Sequence, residues 1–93
     1  MFSSKLLDGG LQLGYSKEVY IMSKVTGERI KELREGRGMS KQKLADELGM
    51  RSYTSVTGWE KGDNLPRGLE MIKLSKLFKV STDYLFGLTD KKN

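Results

Sequence analysis

The chain has no cysteine and no histidine, and those two absences remove several classes of chemistry. Without thiols there are no disulfide staples, no zinc-finger ligand sets and no cysteine nucleophile; without imidazole there is no serine-histidine-aspartate triad. No apolar run approaches the length of a membrane span, and the first twenty residues lack the apolar centre of a signal peptide. A membrane partner is therefore not expected, and a bacterial-type cytoplasm is the default compartment. Aromatic residues make up only 9% of the chain, too few to give a stacking platform for single strands once a core has been filled. The 93 residues, 37% of them hydrophobic, suffice for one compact core and exclude a second domain.

Positive charge is in excess. Lysine and arginine outnumber aspartate and glutamate by 17 to 12, for a formal charge of +5. Residues 1–21 hold Lys5 and Lys17 against Asp8 and Glu18, so the whole excess lies in residues 22–93. A compact basic domain favours an anionic partner such as nucleic acid, although mild basicity also serves solubility.

Residues 1–21 form a segment of their own. Lys5 to Leu13 places two short apolar runs about an Asp8-Gly9 turn signal, the pattern of a hairpin, which needs a surface to pack on. At the level of the gene, Lys17-Glu18-Val19 can be encoded as a bacterial ribosome-binding sequence at suitable spacing before the codon of Met22. Translation is on this reading expected to start at Met22, with residues 1–21 an in-frame upstream extension. Residues 22–90 are read as the folded domain and 91–93 as a tail.

From Thr26 onward the pattern is helical. Ile30 and Leu33 share one face of a first helix closed at Gly36 and Gly38. Ser40 caps a second helix with Leu44, Ala45 and Leu48 at helical spacing, ended by Gly49. The short link Met50-Arg51-Ser52 leads into a third helix through Val56 and Trp59, stopped by Gly62; helices joined this tightly make a sharp corner. Pro66 lies near the start of a fourth helix whose expected buried stripe is Leu69, Ile72, Leu77 and Phe78. Ser81 or Thr82 caps a fifth, holding Tyr84, Leu85 and Phe86 and closed by Gly87. The expectation is an all-α fold of five helices with no strand in residues 24–88.

Val56 and Trp59, three apart, turn one face of the third helix inward. Tyr53, Thr54, Thr57, Gly58 and Lys61 are then left outward. Gly58 costs about 1 kcal/mol relative to alanine inside a helix, and close approach to an anionic partner such as nucleic acid is one compensation.

Arg29-Ile30-Lys31-Glu32-Leu33-Arg34, Met39 to Gly49 and Val56-Thr57-Gly58-Trp59-Glu60-Lys61-Gly62, continued through Leu77 to Gly87, resemble the Cro/CI-type, lambda-repressor-like helix-turn-helix family, also called the xenobiotic-response-element family. The resemblance covers roughly residues 26–88 and is specific because its pieces occur together. It implies a five-helix DNA-binding domain in which residues 51–61 enter the major groove. Lys41 stands where the family usually places a phosphate-contacting glutamine, and Gln42 falls one position late. Tyr53 and Thr54 match base-edge positions, Thr57 and Gly58 later contacts, and Lys61 and Asn64 the positions that hold the backbone. Arg51 reads as an insertion in the link, leaving the start of the recognition helix open by one residue, and can itself reach a phosphate or a guanine edge. Ser52 and Ser55 complete the candidate contact set. Arg34 and Glu60 match an ion pair of the family joining the first and third helices.

Competing readings are plainer. At its spacing Trp59 is core, not a stacking platform. Lys41, Lys43 and Arg51 also read as an ordinary solvated face, and Lys91 and Lys92 as a soluble tail. Asp46 and Glu47 are adjacent, point to different sides of a helix and make a poor acid-base pair. The expected function is a sequence-specific regulator of transcription on double-stranded DNA, a repressor of phage or mobile-element type, without cofactor, metal or small-molecule ligand. Such modules bind as two-fold dimers, and Tyr84, Leu85, Phe86 and Leu88 are the candidate patch, unless Tyr84 and Leu85 finish the core. The alternatives are an antitoxin-like adaptor, which requires an apolar partner surface, and an enzyme, for which no cofactor motif or acid-base pair is present.

Overall fold

The computed structural model describes residues 16–93; the hairpin expected over Lys5–Leu13 lies outside them. Among the described residues the fold is five helices without a strand: α1 (Lys17–Gly36), α2 (Lys41–Glu47), α3 (Thr54–Lys61), α4 (Gly68–Phe78) and α5 (Thr82–Phe86). Three starts are fixed by serine hydroxyls accepting from the third residue of the helix. Ser16 Oγ takes Val19 N–H at 3.1 Å, Ser40 Oγ takes Lys43 N–H at 2.9 Å, and Ser81 Oγ takes Tyr84 N–H at 3.0 Å. Each satisfies a donor that the helix itself cannot.

α1 begins at Lys17, nine residues ahead of the expected start at Thr26, and runs through Met22 without a break. Its buried face is Ser23, Thr26, Gly27, Ile30 and Arg34. Those residues follow helical spacing, but only Ile30 is a large apolar side chain, so hydrophobic periodicity does not reveal the first turns. Small residues on that face let α1 lie close to α3: a Cβ at Gly27 would stand 2.1 Å from the Trp59 carbonyl oxygen. Thr26 Oγ1 donates to Leu85 O at 2.7 Å and ties the same helix to α5.

The core gathers Ile30 of α1, Leu44 and Ala45 of α2, Val56 and Trp59 of α3, Met71, Leu74 and Phe78 of α4, and Tyr84 and Leu85 of α5, with Leu48 and Val80 between elements. Here α4 departs from expectation. Leu69 and Ile72 are exposed, while Met71 and Leu74 are buried with Phe78. The helix carries two overlapping apolar stripes, and packing against α5 and the rest of the core selects the one through Met71 and Leu74.

Basic side chains close several helix ends. Lys24 Nζ donates to Lys61 O at the end of α3 (2.8 Å), Lys73 Nζ to Leu48 O beyond α2 (3.0 Å), and Arg34 Nη1 to Met39 O beyond α1 (2.7 Å). Arg29 reaches the end of α5, donating from Nη1 to Tyr84 O and to Thr89 O, the latter at 2.7 Å. Its guanidinium carbon lies 4.2 Å from the Tyr84 ring centroid. Lys24 and Lys73 thereby place cations at the negative ends of α3 and α2, where the last carbonyls run out of intrahelical donors.

Candidate nucleic-acid interface

α2 and α3 pack on each other at a corner formed by residues 48–53. Leu48 N–H returns to Leu44 O and Ala45 O, and Met50 N–H to Ala45 O, which ends α2 tightly. α3 starts at Thr54, so Arg51, Ser52 and Tyr53 form the turn before this helix and not its first residues. Ser52 acts locally: its Oγ accepts Thr54 N–H at 3.2 Å and bonds Thr54 Oγ1 at 3.1 Å. That short turn supplies the side-chain cap that Tyr53, at the N-cap position, does not.

Val56 is fully buried and Trp59 only 4% exposed, so one face of α3 is locked to the core. The opposite side carries exposed Tyr53, Thr54, Ser55 and Lys61, with exposed Arg51 and Ser52 ahead and exposed Asn64 beyond. Lys41 and Gln42, in the first turn of α2, are half-buried. Gln42 Nε2 is bonded to Asp46 Oδ1 at 2.9 Å, along its own helix. Lys43 pairs with Glu47 at 3.0 Å, an exposed i,i+4 pair worth little to stability.

Thr57 and Gly58 differ from expectation. Both are half-buried rather than outward, and Thr57 Oγ1 is sealed from solvent with no hydrogen-bond partner. In this rotamer the Thr57 hydroxyl is not presented at the surface. At Gly58 a Cβ would lie 2.7 Å from Asn64 Nδ2, so a side chain there requires the exposed Asn64 carboxamide to move.

An ion pair ties α3 to α1 from behind. Arg34 Nε meets Glu60 Oε2 at 2.7 Å and Nη2 meets Oε1 at 3.0 Å, a fork on a carboxylate. Hydrogen bonding to Glu60 raises the Arg34 pKa from its ordinary value, outweighing the lowering by burial, and the charges of Glu60 and Glu35 add to the rise. Both side chains are almost wholly enclosed, at 9% and 5% exposure. With Lys24 on the Lys61 carbonyl, α1 thereby grips the last turn of α3 from two sides.

One basic residue near α3 escaped the sequence reading. Arg67, exposed at the N-cap of α4, lines a cleft beside α3 with Ser55, Asn64 and Glu70, floored by Trp59. Its only signal in the sequence is a cation directly after Pro66. At the other end of the molecule Tyr84 and Leu85 are buried, while Phe86 is half-buried and Leu88 is 66% exposed. The first two therefore finish the core, and the outer patch reduces to Phe86 and Leu88. Among the described residues no group of three or more acidic side chains that can hold a metal ion occurs, and no helix is long and apolar enough to cross a membrane.

Comparison with known proteins gives consistent matches. A family profile described as helix-turn-helix matches residues 30–85. The HTH-type transcriptional regulator DicA of Escherichia coli (strain K12) is 39% identical over 67 residues, 71% of this chain and 49% of DicA. ImmR of Bacillus subtilis (strain 168), also an HTH-type transcriptional regulator, is 35% identical over 69 residues, 72% of this chain and 54% of ImmR. The chain thus spans about half the length of these two relatives. It covers 94% of YgzD, an uncharacterised HTH-type transcriptional regulator of the same Bacillus strain, at 35% identity. The P22 c2 repressor, solved with a synthetic operator, superposes with a TM-score of 0.62 at 31% identity, over 66% of this chain and 91% of the repressor chain.

Proposed function

Because the chain belongs to the helix-turn-helix family, whose profile spans most of its folded part, we propose that it is a sequence-specific regulator of transcription that binds double-stranded DNA. It acts as a repressor of phage or mobile-element type by occupying an operator. The observation that carries this reading is the two-sidedness of α3. Val56 and Trp59 fix the helix from behind, while Tyr53, Thr54 and Lys61 stand clear of the protein. A helix held this way can lie in a major groove, with its first turn at the base edges. Relatives named as transcriptional regulators, and a superposable repressor solved on an operator, support the same conclusion.

Within this reading the roles divide. Tyr53, Thr54 and Arg51, around the start of α3, address base edges; Lys41, Lys61 and Asn64 address phosphates, with Ser52 setting the turn. The DNA-binding module is residues 22–90, preceded by the first five residues of α1, and its compartment is the cytoplasm. Two copies bind about a two-fold axis, reading half-sites about 34 Å apart, with Phe86 and Leu88 in the contact between them. No enzymatic activity is part of the proposal.

Selection from a random duplex pool, followed by binding at several salt concentrations, tests it. A defined preferred sequence should emerge, and affinity should fall steeply as salt rises, because each cation on a phosphate releases counterions. Lys41→Ala and Lys61→Ala should weaken binding to all duplexes alike and flatten the salt dependence; Thr54→Ala should change which base pairs are preferred. A pool that returns no enriched sequence sinks the proposal.

A further inference from the structure

Gly58 lies in the interior of α3, where alanine is the better helix former. Just beyond it the chain doubles back. Gly62, in the left-handed conformation at φ 80°, ends the helix; its N–H returns to Trp59 O at 3.0 Å and Asp63 N–H to Gly58 O at 2.9 Å. This reversal lays the Asn64 side chain over Gly58. A Cβ at position 58 would stand 2.7 Å from Asn64 Nδ2 and 3.8 Å from its Cγ.

A carbon-nitrogen contact of 2.7 Å is not tolerated, and asparagine has only two side-chain torsions with which to yield. A methyl group at 58 therefore turns the carboxamide away from α3. The glycine leaves that carboxamide resting on a methylene with Nδ2 the atom nearest it; a methylene accepts no hydrogen bond, so the N–H donors of this exposed residue stay available to an acceptor outside the protein. It borders the cleft that also holds Arg67 and Ser55. It lies past the C-terminal end of α3, away from the first turn that meets the bases, so phosphate is the ligand within reach.

On the basis of the DNA-binding reading above, we infer that Gly58 is a positioning residue: its missing side chain seats the Asn64 carboxamide so that Nδ2 donates to a duplex phosphate, and Gly58 itself touches no DNA. The seat gives affinity by holding the donor in its bound orientation beforehand.

A double-mutant cycle on duplex affinity tests the coupling, using Gly58→Ala, Asn64→Ala and the pair. Each single change should weaken binding on the order of tenfold, the scale of one hydrogen bond to a charged group, and equally for preferred and random duplexes. The pair should bind no worse than Asn64→Ala alone. Losses that multiply, or a Gly58→Ala protein that binds like the original, overturn the inference. Side-chain amide resonances of Asn64 provide a readout that mere helix stability would not move. They should shift on adding duplex to the original protein and stay unmoved in Gly58→Ala; equal shifts in both also overturn it. Thermal midpoints guard against misfolding: Gly58→Ala should raise the midpoint in the Asn64→Ala background, where no carboxamide obstructs the methyl. An original protein that binds no duplex would instead sink the DNA-binding reading itself.

Discussion

Replacing Gly27 with alanine adds one methyl group to a buried helix position, and two effects of opposite sign compete. Helix propensity favours alanine by about 1 kcal/mol. Against it, the new Cβ stands 2.1 Å from Trp59 O and 3.0 Å from Glu60 O, both backbone atoms of α3 that cannot rotate away. Relief requires α1 and α3 to separate by about 1 Å, the difference between such a contact and an ordinary carbon-oxygen distance. That separation stretches the bonds that join the two helices, Arg34 to Glu60 at 2.7 Å and Lys24 to Lys61 O at 2.8 Å. Overpacking of this kind costs up to about 3 kcal/mol, so a net loss of about 2 kcal/mol is expected. In a domain of this size that lowers the Tm by roughly 8–16 °C. Urea unfolding followed by fluorescence reads it directly, because Trp59 is the only tryptophan and is buried at the crossing. Gly36→Ala is the control: it lies on the same helix, a Cβ there meets nothing within 4 Å, and the change should stabilise by a few tenths to about 1 kcal/mol. If Gly27→Ala is as stable as Gly36→Ala, the close crossing described here is not real.

Glu60→Ala should cost about 3 kcal/mol in a denaturant titration, the low end for breaking an enclosed ion pair, because Arg34 loses both Glu60 contacts and keeps only Met39 O and the more distant Glu35. Replacing both partners with apolar residues should recover most of that loss. Thr57→Val keeps the shape of the side chain but removes a sealed hydroxyl without a partner, so it should raise stability by about 1 kcal/mol; a destabilised variant would mean that the hydroxyl is satisfied. Lys79, at φ 57°, is the one non-glycine residue in the left-handed region among those described, and Lys79→Gly should raise the Tm through a gain of about 0.5–1 kcal/mol.

Much of this architecture could be read from the chain, and the places where it could not share a cause. Serine caps, glycine stops and the spacing of Val56 and Trp59 are local signals, and α2, α3 and α5 follow them. The first turns of α1 were illegible because a face of Ser23, Thr26 and Gly27 carries no hydrophobic signal; closeness of approach, not greasiness, selects those residues. In α4 the signal was ambiguous rather than absent. Leu69, Met71, Ile72 and Leu74 support two registers, and only the three-dimensional core decides between them. At the candidate interface the exposure of Tyr53, Thr54 and Lys61 followed from the inward turn of their neighbours. The local role of Ser52, the inward hydroxyl of Thr57 and the contact between Gly58 and Asn64 depend on rotamers and on the loop beyond Gly62, which spacing does not encode.

The side chains that close the helix ends limit what a bound anion can touch. Lys24, Arg29, Arg34 and Lys73 each donate to a carbonyl of the protein itself. The formal surplus of five positive charges still acts on a distant anion, because a carbonyl dipole does not cancel a net charge, but those four cations have hydrogen bonds to give up before they meet a phosphate. Trading them for neutral residues would loosen the scaffold as well as weaken the attraction, whereas altering Arg51, Lys61 or Arg67 would weaken the attraction and spare the scaffold.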